Sequence, residues 1–134
     1  MKRFYFNKLV RDKIIAKNES NPEVLHSEYR VLSSGEYRQE LKKKLLEELD
    51  EVLLSEGDRG EMVKEFGDLQ AVIAALRDSF DITEQEVKEA MSAKADDAGE
   101  FSCRYFIEYV DIEDNSKWVE IFRSQPNKYK ERNV

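Results

Sequence analysis

The stretch EELDEVLLSEGDRGEMVKEFGD, residues 47–68, decides how this chain folds. Glu48 and Glu51 stand three apart before a Gly-bounded break, Gly57 to Gly60, and Glu65 and Asp68 stand three apart after it. Apolar residues flank both pairs at helical spacing, so the break reads as the turn of an antiparallel helix hairpin. Glu51 lies six residues before Gly57 and Glu65 five after Gly60, while Glu48 lies nine before and Asp68 eight after. With a rise of about 1.5 Å per residue, folding back at the turn brings all four carboxylates to nearly one level.

Rotation about each helix sharpens the pattern. On the first, Leu41, Leu45, Leu49, Val52 and Leu53 form an apolar arc, and Glu48 falls within it, flanked by Leu45 and Val52. Glu47 and Glu51 lie off one edge. On the second, Met62, Phe66, Leu69, Val72, Ile73 and Leu76 make the arc, Glu65 points between Val72 and Leu76, and Asp68 sits at the margin. An acid inside an apolar stripe is costly unless something compensates its charge. A lone ExxE in a chain with 29 acids is ordinarily a solvated face. Two such pairs, equidistant from one turn and partly inside apolar arcs, point instead to a cation. Oxygen-only ligands suit a hard ion, Mg²⁺ or Mn²⁺. A di-iron bundle asks for Glu-x-x-His pairs, and the single histidine, His26, is remote in sequence.

Composition narrows the class further. At 134 residues, with 40% hydrophobic and 38% charged residues, the chain is expected to be one globular domain rich in amphipathic helices. A net charge of -7 disfavours duplex nucleic acid as a partner, so any polyphosphate ligand needs local bases and metal to offset the field. One cysteine, Cys103, allows no internal disulfide and fits a reducing compartment. The opening MKRFYFNKLVRDKII carries charges every few residues and reads as neither signal peptide nor membrane span. The expected location is the cytoplasm. Cys103, His26 and Trp118 read as structural residues rather than catalysts.

Along the chain, Phe4-Tyr-Phe6 is an aromatic start and Lys8 to Lys17 a helix or turn. Tyr29 to Leu32 reads as a short extended segment. Ser33-x-x-Glu36 is a capping box that starts a helix to about Leu54. The next helix runs from Gly60 or Glu61 to about Ser79. Thr83-x-x-Glu86 is a second capping box, opening a helix to about Ala98, with Gly99 as its C-terminal cap. Phe101 to Val110 suits either an extended or a helical form. Beyond Asp111 no periodicity is legible. Trp118, Ile121 and Phe122 suggest a small docking cluster, and the polar end from Pro126 to Val134 is expected to fray.

The motifs EELDE and EFGD together resemble the EExxE…ExxD signature of the MazG-like all-α nucleoside triphosphate pyrophosphohydrolases. NKLVRDKI, residues 7–14, resembles the start of the phosphoribosyl-ATP pyrophosphohydrolase-like branch of that superfamily. Tyr29-Arg-Val-Leu32, the Lys42-to-Glu47 run, Lys94, Gly99-x-Phe101 and Arg104 are also similar to that branch. The branch usually has a basic residue and two glycines where this chain has Ala98-Gly99-Glu100, a departure at one phosphate contact.

The resemblance implies an all-α MazG-like bundle over residues 1–110, with a metal-binding hairpin and minor β segments, and a C-terminal extension over 111–134. It implies a Mg²⁺-dependent hydrolase that cleaves a nucleoside triphosphate between the α and β phosphates, a nucleotide-pool housekeeping activity. Phosphoribosyl-ATP hydrolysis in histidine synthesis is an alternative, and a non-catalytic helical binding module another. Carried over by motif, Glu48, Glu51, Glu65 and Asp68 are the metal ligands, and Glu47 with Glu48 serves the attacking water. Lys8, Arg11, Lys94 and Arg104 are the candidate phosphate contacts, with Lys13 a weaker one. The family's usual homodimer or dimer of dimers is the expected assembly.

Overall fold

The computed structural model describes residues 1–132, and the fraying expected of the last two residues lies outside them. Five helices occur in this range: α1 (Ile14–Ser20), α2 (Ser34–Leu54), α3 (Arg59–Asp78), α4 (Glu84–Ala98) and α5 (Lys117–Arg123). The protein is all-α. No strand occurs among the described residues. Tyr29–Leu32 and the segment from Phe101 to Val110 each lack a second strand to share a ladder with, so neither becomes one. Two compact units divide at Asp96, and the stretch from Asp111 expected as an extension lies inside the second. No helix among the described residues is long and apolar enough to cross a membrane.

Local chemistry sets the helix starts. The Ser33 hydroxyl accepts the Glu36 amide at 3.3 Å, and the Glu36 carboxylate accepts the Ser33 amide at 3.1 Å, completing the capping box that opens α2. Arg30 adds a bidentate pair to the same carboxylate, at 2.8 and 3.1 Å. At α4 the Thr83 hydroxyl and Glu86 exchange the same bonds. Between α2 and α3 the chain reverses at Gly57, whose φ of 100° belongs to the left-handed region that glycine enters without strain. Asp58 then caps α3 by accepting the Glu61 amide at 3.1 Å.

Helices α2 and α3 pack along each other as the hairpin. The open end of that hairpin is tied by Arg38, a residue with no signature in the sequence. Its Nε donates to the Ser79 carbonyl at 3.0 Å and its guanidinium lies 4.9 Å from the centre of the Phe80 ring. The contact seam follows Leu41, Leu45, Glu48 and Val52 on α2 and Met62, Glu65, Leu69, Val72 and Leu76 on α3, alternating four- and three-residue steps. Among the described residues the buried apolar side chains are only Leu41, Val52 and Val72. Leu49, Leu53, Phe66 and Ile73, which the apolar arcs placed inward, are exposed. The arcs are wider than one partner helix can cover, and the seam runs through their acidic edge. Neither α1 nor α4 has a buried residue.

In the second unit α5 is a helix where the sequence showed no periodicity. The Ser116 hydroxyl accepts the Trp118 amide at its start, a cap that could have announced it. The Phe122 ring lies 5.9 Å from Trp118 and 4.6 Å from Tyr129, centre to centre, while Trp118 and Ile121 are exposed.

The cap of α2 is testable. Ser33→Ala should lower stability by about 1 kcal/mol. Arg30 first, and then the Ser33 amide and hydroxyl, hold the Glu36 carboxyl down from 4.5 to about 2. A carboxyl depressed on folding stabilises fully above its unfolded value and loses that contribution as pH falls through its folded value. The difference in urea midpoint between wild type and Glu36→Gln should therefore be constant at neutral pH and close as pH drops from 4.5 toward about 2.

Candidate metal centre

Helix geometry places Glu48 at the centre of the α2 seam, where only 6% of the residue is exposed, and Glu65 at the facing position on α3, 8% exposed. Asp68, one turn beyond Glu65, reaches the same point. Glu48, Glu65 and Asp68 each offer a carboxylate oxygen within 4.8 Å of the others. The fold therefore unites three of the four acids singled out in sequence. Glu51 stands beside them: desolvation first, then the charge of Glu48 and hydrogen bonding with Glu65 and Glu48, push its carboxyl above the ordinary value.

Each grouped acid meets a base differently. Lys44 Nζ donates to Glu48 Oε1 at 2.9 Å from one turn earlier on α2, and with 19% of its side chain exposed it is itself largely buried. Its ammonium is held in the charged form chiefly by the Glu48 hydrogen bond. Lys64 Nζ lies 3.4 Å from Glu65 Oε1 on the outer side. Arg11, from the segment before α1, donates to Asp68 Oδ1 at 2.7 Å. The second Glu65 oxygen, Oε2, is buried and accepts no hydrogen bond. An orphaned carboxylate oxygen inside a seam costs about 3 kcal/mol when left alone. A cation bound among Glu48, Glu65 and Asp68 would supply its missing partner, so the donor set fits a hard divalent ion.

The remaining sequence candidates are placed as follows. Glu47 is on the exposed side of α2, with Lys44 Nζ 3.9 Å away, outside the three-acid group. Arg11 meets the group directly. Lys8 and Lys94 are exposed and form no ion pair among the described residues. Arg104 belongs to the second unit, where it adopts a left-handed φ of 58° and its amide donates to the Phe101 carbonyl at 3.1 Å. Lys44 and Lys64 were not singled out from the sequence. The Lys44–Glu48 spacing of four residues, with Glu48 in an apolar arc, was the available signal for the former.

No family model matches the chain, and comparisons with curated proteins and with solved structures give no match either. The reading of the site accordingly stands on its own geometry and on the motifs.

Glu65→Gln tests that geometry. It removes the orphaned charge and the repulsion with Glu48 and Glu51, so the variant should melt above wild type in chelator. Saturating Mn²⁺, at about 100 times its dissociation constant, should stabilise wild type by about 2.7 kcal/mol and leave the variant nearly unmoved. Scanning fluorimetry with chelator and with Mn²⁺ reads both effects. An equal Mn²⁺ shift in the variant would remove Glu65 from the ligand set.

Proposed function

We propose that this chain is a Mg²⁺-dependent nucleoside triphosphate pyrophosphohydrolase that releases a nucleoside monophosphate and pyrophosphate. The observation that carries the proposal is the buried Glu65 carboxylate, with Oε2 unpartnered, grouped with Glu48 and Asp68. Its support from the sequence is the order NKLVRDKI, EELDE, EFGD, which resembles the MazG-like enzymes.

In this mechanism Glu48, Glu65 and Asp68 hold Mg²⁺ or Mn²⁺, with Glu51 as the fourth carboxylate at their side. When bound, the ion supplies charge for phosphate oxygens and a lowered pKa for water. Lys44 orients Glu48 through its 2.9 Å bond, the part an outer partner plays at a metal ligand. Glu47, next to Glu48 but solvent-facing, is available to orient or deprotonate water. Lys8, Arg11 and Lys94 are the cations assigned to phosphate charge, and Arg11 is already at the acids. Surplus or non-standard nucleotides are the substrate class, with nucleotide-pool housekeeping in the cytoplasm as the role.

A second copy of the chain is part of the proposal. Leu49, Leu53, Phe66 and Ile73 form an exposed apolar flank on the hairpin, while its own seam buries only Leu41, Val52 and Val72. So little buried apolar surface is thin support for two long helices, and a homodimer or dimer of dimers would cover the flank.

A nucleotide panel with Mg²⁺ and Mn²⁺, including phosphoribosyl-ATP, should yield pyrophosphate and a monophosphate. Glu48→Gln and Asp68→Asn should each cut turnover by more than about 100-fold, the upper loss seen for outer metal partners. Absence of pyrophosphate across the panel overturns the enzyme reading. Light scattering should give a multiple of the monomer mass, and a monomer mass at micromolar concentration would overturn the assembly.

A further inference from the structure

We infer that Arg11 is a built-in counter-ion for Asp68 that is exchanged for the metal ion and thereby made available to an incoming anion. The inference deepens the metal reading above and rests on it. Arg11 Nη2 donates to Asp68 Oδ1 at 2.7 Å across 57 residues of sequence. Among the described residues this is the only salt bridge joining the segment before α1 to the hairpin. The rest of that segment is held thinly: Leu9 and Val10 are half-buried, while Phe4, Tyr5 and Phe6 are exposed.

Three bases meet the grouped acids, and the settings of Lys44 and Arg11 differ. Lys44 is one helical turn from Glu48 on the same rigid element and 19% exposed. Arg11 comes from a separate segment, is 62% exposed, and grips Asp68 through one nitrogen. A dication held by Glu48, Glu65 and Asp68 would share the Asp68 carboxylate with the guanidinium at close range. Like charges repel there, and Arg11, the base on Asp68, is exposed and can move into water to relieve the repulsion. Lys44 therefore remains as a positioning residue, and Arg11 yields.

The exchange has a chemical consequence. In the metal-free state one arm of the Arg11 fork, Nη2, is engaged with a carboxylate. After exchange its donors are free at the rim of the metal, where a planar fork suits two phosphate oxygens. Metal binding then precedes and creates the anion site, so a polyphosphate meets one more cation on the loaded protein than on the metal-free one.

Calorimetric titration of the full chain with Mn²⁺ alone, without nucleotide, tests the exchange. Arg11→Gln should bind Mn²⁺ about 2- to 5-fold more tightly than wild type, the worth of an exposed ion pair. Lys17→Gln, an equal change of charge on exposed α1, should bind as wild type does. Hydrogen exchange on the wild-type protein should show the Ile14 amide, which donates to the Arg11 carbonyl at 3.0 Å, losing protection when Mn²⁺ is added. Unchanged or weaker binding in Arg11→Gln, or equal tightening in Lys17→Gln, overturns the exchange while leaving the metal site standing. Absence of Mn²⁺ binding by wild type overturns both.

Discussion

Glu48 and Glu65 occupy seam positions that, on two packed helices, ordinarily belong to leucine or valine. Everything around them follows from that. Carboxylates at the centre of an interface have to be compensated, and the surrounding chain supplies bases at fixed places: Lys44 on Glu48, Lys64 outside Glu65, Arg11 on Asp68. The compensation is incomplete, because Glu65 Oε2 has no donor. A seam built for stability alone would have an apolar residue there, since replacing buried charge by well-packed hydrophobic groups is often neutral or stabilising. Charge retained at such a position is the physical basis for reading a ligand site into the hairpin.

The same choice shapes the rest of the hairpin. Turning the acids inward rotates Leu49, Leu53, Phe66 and Ile73 out of the seam and onto a flank. The hairpin is then held by a short apolar set, by the Gly57 turn and Asp58 cap at one end, and by Arg38 against Ser79 and Phe80 at the other. Its two ends are fastened by hydrogen bonds while its middle carries charge. An exposed apolar flank beside a charged seam suits association of hairpins, with the proposed chemistry and the proposed assembly arising from one rotation of two helices.

Much of the local structure was legible because it rests on short-range rules. Both capping boxes form as expected, at Ser33–Glu36 and Thr83–Glu86, and the hairpin reverses where glycine allows a positive φ. Pairing between strands, by contrast, depends on distant partners. Tyr29–Leu32 has suitable residues for a strand but no neighbour to pair with, and Arg30 instead engages Glu36. Helix α5 escaped notice because seven residues give too few turns for a period to show.

The candidate site divides along the same line. Spacing about the Gly57–Gly60 break and helical phase put Glu48, Glu51, Glu65 and Asp68 near one level from sequence alone, with two of them entering apolar arcs. Those are one-dimensional properties of helices with a fixed rise and pitch. Only the tertiary structure decided which edge of each arc becomes the seam, because that depends on how two surfaces interlock. It alone left Glu51 beside the group, brought Arg11 onto Asp68 from 57 residues away, and stranded Glu65 Oε2 without a partner. Pairing across such distances is a property of packing, and no periodicity encodes it.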